Sequence, residues 1–453
     1  MSSLVHSAPT TAGTAAGYRT GFALFLIMNG LLLIRPGDLF PSLAEVGFYE
    51  LAIIGCFLAS FPAVLEQFTW RSLSTRPITL CILGFGLAVA ISESVHKPLE
   101  EAFEIVFQYA KILIYYLLLL ATVNSSNRLA TLLRLLAVLI SFTALLAVLQ
   151  YHEIIDVPAL APLMDRDTDA VIRDEIEIRR LRGAGIFNDP NDMGQLLAVG
   201  MVLCLWGVGD GALGILRWLW AGPLALLGYS LMLTQSRGAF VALVCGLGAF
   251  LYGRFGLWRT VGLAILGLPA LLIVFSGRMT EISPSATTGQ QRVQIWSDGL
   301  QMFREDPIFG VGVGEYNQRA GFVAHNSFLH CFAEIGFIGG MCFLGAFLLG
   351  FWSLLRLRRN KVQILDPLLF RLHPYLLGAL AAYAGGLLTL SRAYVVPTYL
   401  VLGLVAAFVP LAQASPPQPP LRSSLVTFAW LAAGGVAFLL ATQVFVSVFV
   451  RWG

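Results

Sequence analysis

Apolar stretches of about 18 residues or more recur along this sequence from one end to the other, and no other feature limits the possible folds so sharply. A run of that length with few charges is what a helix needs to cross a bilayer while satisfying its backbone hydrogen bonds internally. Composition agrees. Of 453 residues, 57% are apolar or aromatic and 12% are charged, against about 25% charged in ordinary soluble domains. Length alone would suggest two or three soluble domains. The apolar runs exclude that and predict an all-α, polytopic transmembrane protein, with residues 1–453 forming one membrane domain.

Polar, proline and glycine breaks separate about thirteen spans, near residues 20–34, 46–65, 77–95, 104–123, 131–151, 192–208, 215–234, 238–252, 258–276, 326–352, 374–391, 396–413 and 425–449. The first and eighth are short, so twelve is nearly as good a count. Two long connections stand out, 152–191 and 277–325, and a basic one lies at 352–373. There is no internal repeat, and "SPPQPP" (415–420) reads as a connector. The N-terminal "MSSLVHSAPTTAGTAAGYRT" has no basic region leading into an apolar core, so the first span is expected to be a retained anchor. Cys56, Cys81, Cys204, Cys245, Cys331 and Cys342 all lie inside apolar runs. They read as small hydrophobes rather than as disulfide or metal ligands.

Charge sets the orientation, and short loops decide it. "RLRRNK" (356–361) is strongly cytoplasmic in character. Alternation then puts both ends of the argument on the other side: the two long loops face outward, and so do Arg182, Arg237, Arg392 and His325, far apart in sequence. Positive charge fixed against the orientation rule calls for a use.

The segment "RRLRGAGIFNDPNDMG" (179–194) contains a helix start. Asp189 fits the N-cap, Pro190 the first helical position and Asp192 the third. That local reading leaves Arg179, Arg180 and Arg182 unexplained. Arginines beside a helix N-terminus make an anion site, because the dipole and free amides add to the guanidinium forks. Pairing with the acidic "RDEIEIR" accounts equally well for Arg179 and Arg180, so Arg182 is the favoured ligand. In "TQSRGAFVAL" (234–243), Arg237 sits in a hairpin at the membrane interface. A snorkelling anchor is the plain alternative. "LSRAYVVP" (390–397) repeats the pattern with Arg392.

The second long loop has a Ser/Thr-rich start, "SPSATTGQQ", then an amphipathic "RVQIWSDGLQMF" (292–303) and "EDPIFGVGVGEYNQ" (305–318). Its glycines form no nucleotide fingerprint, since no strand precedes them; they read as a turn bringing the chain back over the membrane. "AHNSFLHCFAEIGFIGG" (324–340) follows. Asn326 and Ser327 can cap the helix unaided, which leaves His325 free to act as a base near neutral pH. His330 and Glu334 are spaced to pair along one face. At about 1.5 Å per residue Glu334 lies about 13 Å beyond His325, in the apolar layer, where an acid needs a partner; Lys111 is a candidate. Zinc held by His325, His330 and Cys331 is a weaker alternative.

Arginines with one base and no carboxylate pair suit transfer of a glycan from a lipid diphosphate. The leaving group departs as an anion and needs cations, and the acceptor hydroxyl needs one base. Glycoside hydrolysis would want two carboxylates. Arginine suits the diphosphate because its planar fork binds two oxygens at once.

Over residues 180–350 the motifs "RGAGIFNDPNDMG", "QSRGAFVAL", "RVQIWSDGLQMFREDPIFGVGVGEYN" and "AHNSFLHCFAEIGFIGG" resemble the O-antigen ligase and polymerase superfamily of bacterial envelope glycosyltransferases. The resemblance implies a multi-span, GT-C-like enzyme of the bacterial inner membrane, with a large periplasmic loop and its site facing the periplasm. The implied donor is an undecaprenyl-diphosphate-linked saccharide and the acceptor a sugar hydroxyl, of lipid A core or another saccharide. Transfer would be inverting and independent of metal or other cofactor. By the same resemblance Arg182 and Arg237 hold the diphosphate, Arg292 assists, and His325 activates the hydroxyl. Asp189, Asn326, Glu334 and Arg392 are candidates for support, with no function carried over to the last two. A polymerase of lipid-linked repeat units for O-antigen or exopolysaccharide fits the same motifs. A lipid or anion transporter is the alternative from another class; it would favour charges near the midplane of two matching halves.

Overall fold

The computed structural model describes residues 12–43, 46–168, 175–275, 279, 287–358 and 362–450. The N-terminal polar stretch up to residue 11, the loop start "SPSATTGQQ" through residue 286, and residues 359–361 of "RLRRNK" lie outside them.

Every apolar run of the sequence folds as helix. In order these are α1 (Ala12–Ile34), a short α2 (Pro36–Leu39), α3 (Phe48–Gln67), a short α4 (Trp70–Thr75), α5 (Pro77–His96), α6 (Leu99–Thr122), α7 (Ser126–Tyr151) and α8 (Pro190–Gly209). A tight helical stretch, Gly211–Trp220, leads into α9 (Ala221–Thr234), followed by α10 (Arg237–Phe255) and α11 (Leu257–Val274). The second long loop holds α12 (Thr287–Glu305) and α13 (Glu315–Ala320). Then come α14 (Ser327–Leu357), α15 (Pro367–Leu387), α16 (Val396–Leu411) and α17 (Leu425–Phe449).

Among the described residues, 11 helices are long and apolar enough to cross a membrane, against the twelve or thirteen spans read from the sequence. The difference is α15 and α16. The second is short, and the first carries Arg371 and His373. Both are wrapped by other helices, with Leu372, Leu380, Ala382, Leu402 and Val405 fully buried, so neither has to be apolar enough to face lipid. Close approach makes this possible. A Cβ on Gly246 of α10 would stand 2.8 Å from Ala382 Cβ, and one on Gly378 of α15 would stand 2.9 Å from the Gly246 carbonyl oxygen. Small residues at a helix crossing are the usual route to tight packing between spans.

Two local structures depart from the all-α expectation. The first long loop contains an antiparallel hairpin, β1 (Leu163–Thr168) with β2 (Glu175–Arg180), in which Leu163 faces Arg180. A minimal pair, β3 (Gln363–Ile364) with β4 (Ala414–Ser415), joins the connection after α14 to the one after α16.

The larger correction concerns α14. Its backbone breaks at Gly336 (φ 70, ψ −170), so it is a short helix to Ile335 followed by a longer one. The loop segment 307–316 fills the break. Phe337 N–H donates to Pro307 O at 2.8 Å, Val311 N–H to Ala333 O at 3.0 Å, and Gly312 N–H to Glu334 O at 2.9 Å. Gly310, itself at φ 73, lies so close that a Cβ there would sit 2.3 Å from the Glu334 carbonyl. The glycines of "GVGVG" thus let the loop backbone lie against the interrupted helix.

Gly336 combines a backbone conformation reserved for glycine with a Cβ position 2.2 Å from Ile308 O. Gly336→Ala is expected to cost at least about 3 kcal/mol. Thermal melts in detergent should show a large loss of stability. Gly267→Ala, with nothing within 4 Å, should be neutral or stabilising by up to about 1 kcal/mol. Equal melting of the two variants would overturn the account of the break.

Candidate functional site

Three helix N-termini converge at one end of the molecule. Asp189 caps α8 by accepting from Asn191 N–H at 2.7 Å, with Pro190 at the first helical position. Ser236 caps α10 by accepting from Ala239 N–H at 3.2 Å. Asn326 caps α14 through Phe328 and Leu329 N–H, at 3.1 and 3.2 Å. The starts touch. Ser236 Oγ donates to Asn191 Oδ1 at 2.7 Å, and Arg392 N–H, in the α15–α16 connection, donates to Ser327 Oγ at 2.8 Å. The Arg392 guanidinium grips the Asp192 carboxylate in the first turn of α8. Each N-terminus carries a partial positive charge, so their meeting favours an anion before any side chain is counted.

Arginines add to that field. Arg237 is the first residue of α10. Arg180, at the end of β2, is buried and donates to Thr234 O (2.9 Å), Asp165 Oδ2 (2.9 Å) and Asn191 Oδ1 (3.1 Å). Arg292 comes from α12, which is pinned beside the histidine by Trp296 Nε1 donating to Ala324 O at 2.8 Å. Burial pushes the Arg292 guanidinium below its usual pKa, and the charges of Arg237 and Arg180 push it the same way. Cations held closer than they would choose are a mark of an anion site.

His325 stands in this group. Its backbone is left-handed (φ 48), as is that of Gln235 (φ 50). Each precedes the capping residue of its helix, and such conformations in non-glycine residues cluster at functional sites. The imidazole pKa is lowered to about 4, first by burial and next by Arg292; Arg392 and His330 act in the same direction, and Asp189 opposes them. His325 is therefore neutral at physiological pH and available as a proton acceptor.

The structure thus brings Arg292, Arg392, Asp189 and Asn326 around His325, with Arg237 acting on Arg292. Arg182 points elsewhere, donating from Nε to Ala161 O at 2.7 Å. Arg180, two residues earlier at the end of β2, is the one whose charge acts on Arg292. Sequence reading passed it over because acidic neighbours offered it surface partners. Its neighbour Arg179 does take one, Glu153 at 3.0 Å, and lies over the Tyr151 ring. Arg35 lies against Gly185, close enough that a Cβ there would clash, and its guanidinium is paired with Asp38 at 2.8 Å.

Glu334 is 1% exposed and meets the second long loop rather than Lys111, which lies exposed over the Phe107 ring. It accepts from Gly314 N–H (2.8 Å), Tyr316 N–H (3.3 Å) and Tyr394 Oη (3.0 Å), and pairs with His330 Nε2 at 2.8 Å. Because α14 breaks at Gly336, the carboxylate lies where loop amides can reach it. Its work is to fasten the loop beside the site. That arrangement also commits His330 Nε2, one of the zinc ligands weighed above.

A narrow crevice of about 40 Å³ leaves the arginine cluster, with Asp192, Gln195 and Arg392 at its polar end. Leu33, Leu136, Ile140 and Leu400 are among its apolar walls.

Residues 222–344 match the family model described as O-Antigen ligase. That segment is similar to the O-antigen ligase family. It contains Arg237, Arg292, His325, Asn326 and Glu334, while Arg180, Arg182, Asp189 and Arg392 come from outside it. No curated protein matches the chain. The helical architecture is that of a multi-pass membrane protein, and the match supports a glycosyltransferase-like role in O-antigen assembly.

Two outcomes follow. Replacing Glu334 by Ala strands two amides and a tyrosine hydroxyl, so Glu334→Ala should destabilise by about 3 kcal/mol or more. A melt unchanged from wild type would remove its fastening role. For His325 the folded pKa lies below the unfolded value of about 6.5, so stability falls as pH drops from about 6.5 towards 4. An anion among the arginines offsets their charge and raises that pKa. Inorganic pyrophosphate should therefore bind with proton uptake at pH 5.5, read by calorimetry in buffers of different ionisation enthalpy. His325→Gln should bind it without that uptake.

Proposed function

We propose that this protein transfers a saccharide from a lipid diphosphate to a sugar hydroxyl, at the end of the membrane domain where α8, α10 and α14 begin. The observation that carries the reading is the meeting of Arg237, Arg292 and His325, all within the matched segment, over three converging helix N-termini. Charge placement in the short loops puts this end outside the cytoplasm, and the donor is an undecaprenyl-diphosphate-linked glycan of the bacterial inner membrane.

Arg237 and Arg292 hold the diphosphate oxygens, with Arg180 behind them. The first isoprene units follow the apolar crevice, which has to widen to accept them. The acceptor hydroxyl, on lipid A core or another saccharide, approaches the anomeric carbon from the side opposite the diphosphate. His325 takes the hydroxyl proton as the oxygen attacks. The bond from the anomeric carbon to the phosphate oxygen breaks, and its electron pair leaves with the lipid diphosphate, so the anomeric configuration inverts. The arginines stabilise that departing charge, a type of contribution worth about 10²–10³ in rate per group. No metal is required for this step, because the leaving group is already a stable anion. The domain match favours ligation to a separate acceptor over polymerisation on the carrier.

Purified protein given lipid-diphosphate glycan and core acceptor should form glycosylated core of inverted configuration. His325→Ala should lower kcat/KM by about 10²–10⁴, and Arg237→Ala or Arg292→Ala by about 10²–10³, in protein that melts like wild type. Full activity in folded His325→Ala would remove the base. Long carrier-linked chains without glycosylated core would make the enzyme a polymerase.

A further inference from the structure

The far end of α14 holds a second cationic pocket that the transfer reaction does not use. A cavity of about 600 Å³ lies between the start of α5, the end of α14, and the chain from α16 through the proline-rich connector. Arg76 and Arg356 both line it, and among its described lining residues there is no Asp or Glu. Arg76 is held in place by donating to Gln67 Oε1, and Arg356 by donating to Pro419 O at 2.5 Å. Helix α5 presents its N-terminus here: Pro77, Ile78 and Thr79 line the cavity, Pro77 has no N–H, and no side chain caps the helix. The N–H groups of the first turn and the helix dipole therefore add to the two guanidinium groups.

The remaining wall is of another kind. Ile78, Leu357, Ala406, Val409 and Leu421 make much of it apolar. A cavity with two cations and an uncapped helix start, no acid, and an apolar side is matched to an amphipathic anion: a phosphate carried on a hydrocarbon chain. Free phosphate would use the cations and leave the apolar wall in water. Short-loop charge places this end at the cytoplasmic leaflet, where anionic phospholipids are at hand.

We propose that this cavity is a binding site for the phosphate headgroup and upper acyl chain of an anionic phospholipid, with Arg76, Arg356 and the α5 N-terminus as the anion ligands and the proline-rich segment 416–420 as its cover. The site is independent of the glycosyl-transfer reading. It lies at the opposite end of α14 from His325 and stands or falls on its own geometry.

The test uses the full-length protein in detergent. Short-chain dihexanoyl phosphatidylglycerol, the phosphocholine equivalent and inorganic phosphate are each titrated below micelle-forming concentrations while thermal stability is followed. Phosphatidylglycerol should raise Tm saturably, and phosphocholine should require at least tenfold more. Arg76→Gln and Arg356→Gln should each weaken the phosphatidylglycerol effect at least tenfold, whereas Arg259→Gln, an exposed arginine at the same end, should leave it intact. If inorganic phosphate alone saturates at equal or lower concentration, the apolar wall has no part and the lipid assignment is overturned. So is it if phosphocholine acts as well as phosphatidylglycerol, or if the two cavity variants respond like wild type. Should a variant not fold, wild-type protein is irradiated with a photoactivatable phosphatidylglycerol and digested. Cross-links should concentrate in peptides covering residues 353–357 and 406–421. Their spread over the lipid-facing α11 and α17 instead would overturn the proposal.

Discussion

Like charges brought together are what this structure has to manage. Arg180, Arg237 and Arg292 come near enough for the first two to depress the pKa of the third, and they do so over helix N-termini whose partial charges have the same sign. Asp165 holds Arg180 and Asp192 holds Arg392, which limits the cost without cancelling it. In a free protein such an arrangement opposes folding. It persists because packed helices impose it, and a bound dianion would turn the whole set of repulsions into attractions. Burial and the same charges keep His325 neutral, so its imidazole is free to accept a proton.

The scaffold around this cluster is correspondingly over-determined. Segment 306–316 is tied down from two sides. From α5, Glu93 accepts Val313 N–H at 2.5 Å, Lys97 donates to Val313 O at 2.7 Å, and His96 lies 3.4 Å from Asp306. From α14, Glu334 takes the amides of Gly314 and Tyr316. Tyr316 in turn donates to Ile295 O at 2.6 Å, which fixes the helix that carries Arg292. The buried acids thus act at one remove: they set the loop, the loop sets α12, and α12 sets the guanidinium.

The helical spans were legible because a bilayer demands long apolar runs, and each run did become a helix. Asp189, Pro190 and Asn326 were legible too, since a cap is read from a few adjacent residues. What escaped depends on contacts between distant segments. Arg180 and Arg182 look alike in "RRLRG"; only the register of β1 on β2, and the backbone bond from Leu181 N–H to Leu233 O at 2.9 Å, send Arg180 inward. The break at Gly336 was hidden because "EIGFIGG" is as apolar as the rest of its span. Its cause lies in a second segment, the glycines around 310, and neither segment announces the other. Glu334 was flagged correctly as needing partners, but the unbroken helix assumed for it put those partners in the wrong place.

The two ends of α14 show how little separates binding from chemistry. Both gather guanidinium groups at helix N-termini, side-chain capped at the His325 end and uncapped at the other, and both border apolar surface, so both suit a phosphate on a lipid. At the N-terminal end of α14 His325 is held by a left-handed backbone with its imidazole kept neutral. At the other end the described lining has no histidine or carboxylate, and the Thr79 hydroxyl is engaged by Tyr116 Oη at 2.9 Å. An anion bound there meets nothing that can take a proton from an attacking group. On the proposed readings, cations and dipoles select a lipid phosphate at each end, and a neutral imidazole beside them is what allows transfer at only one.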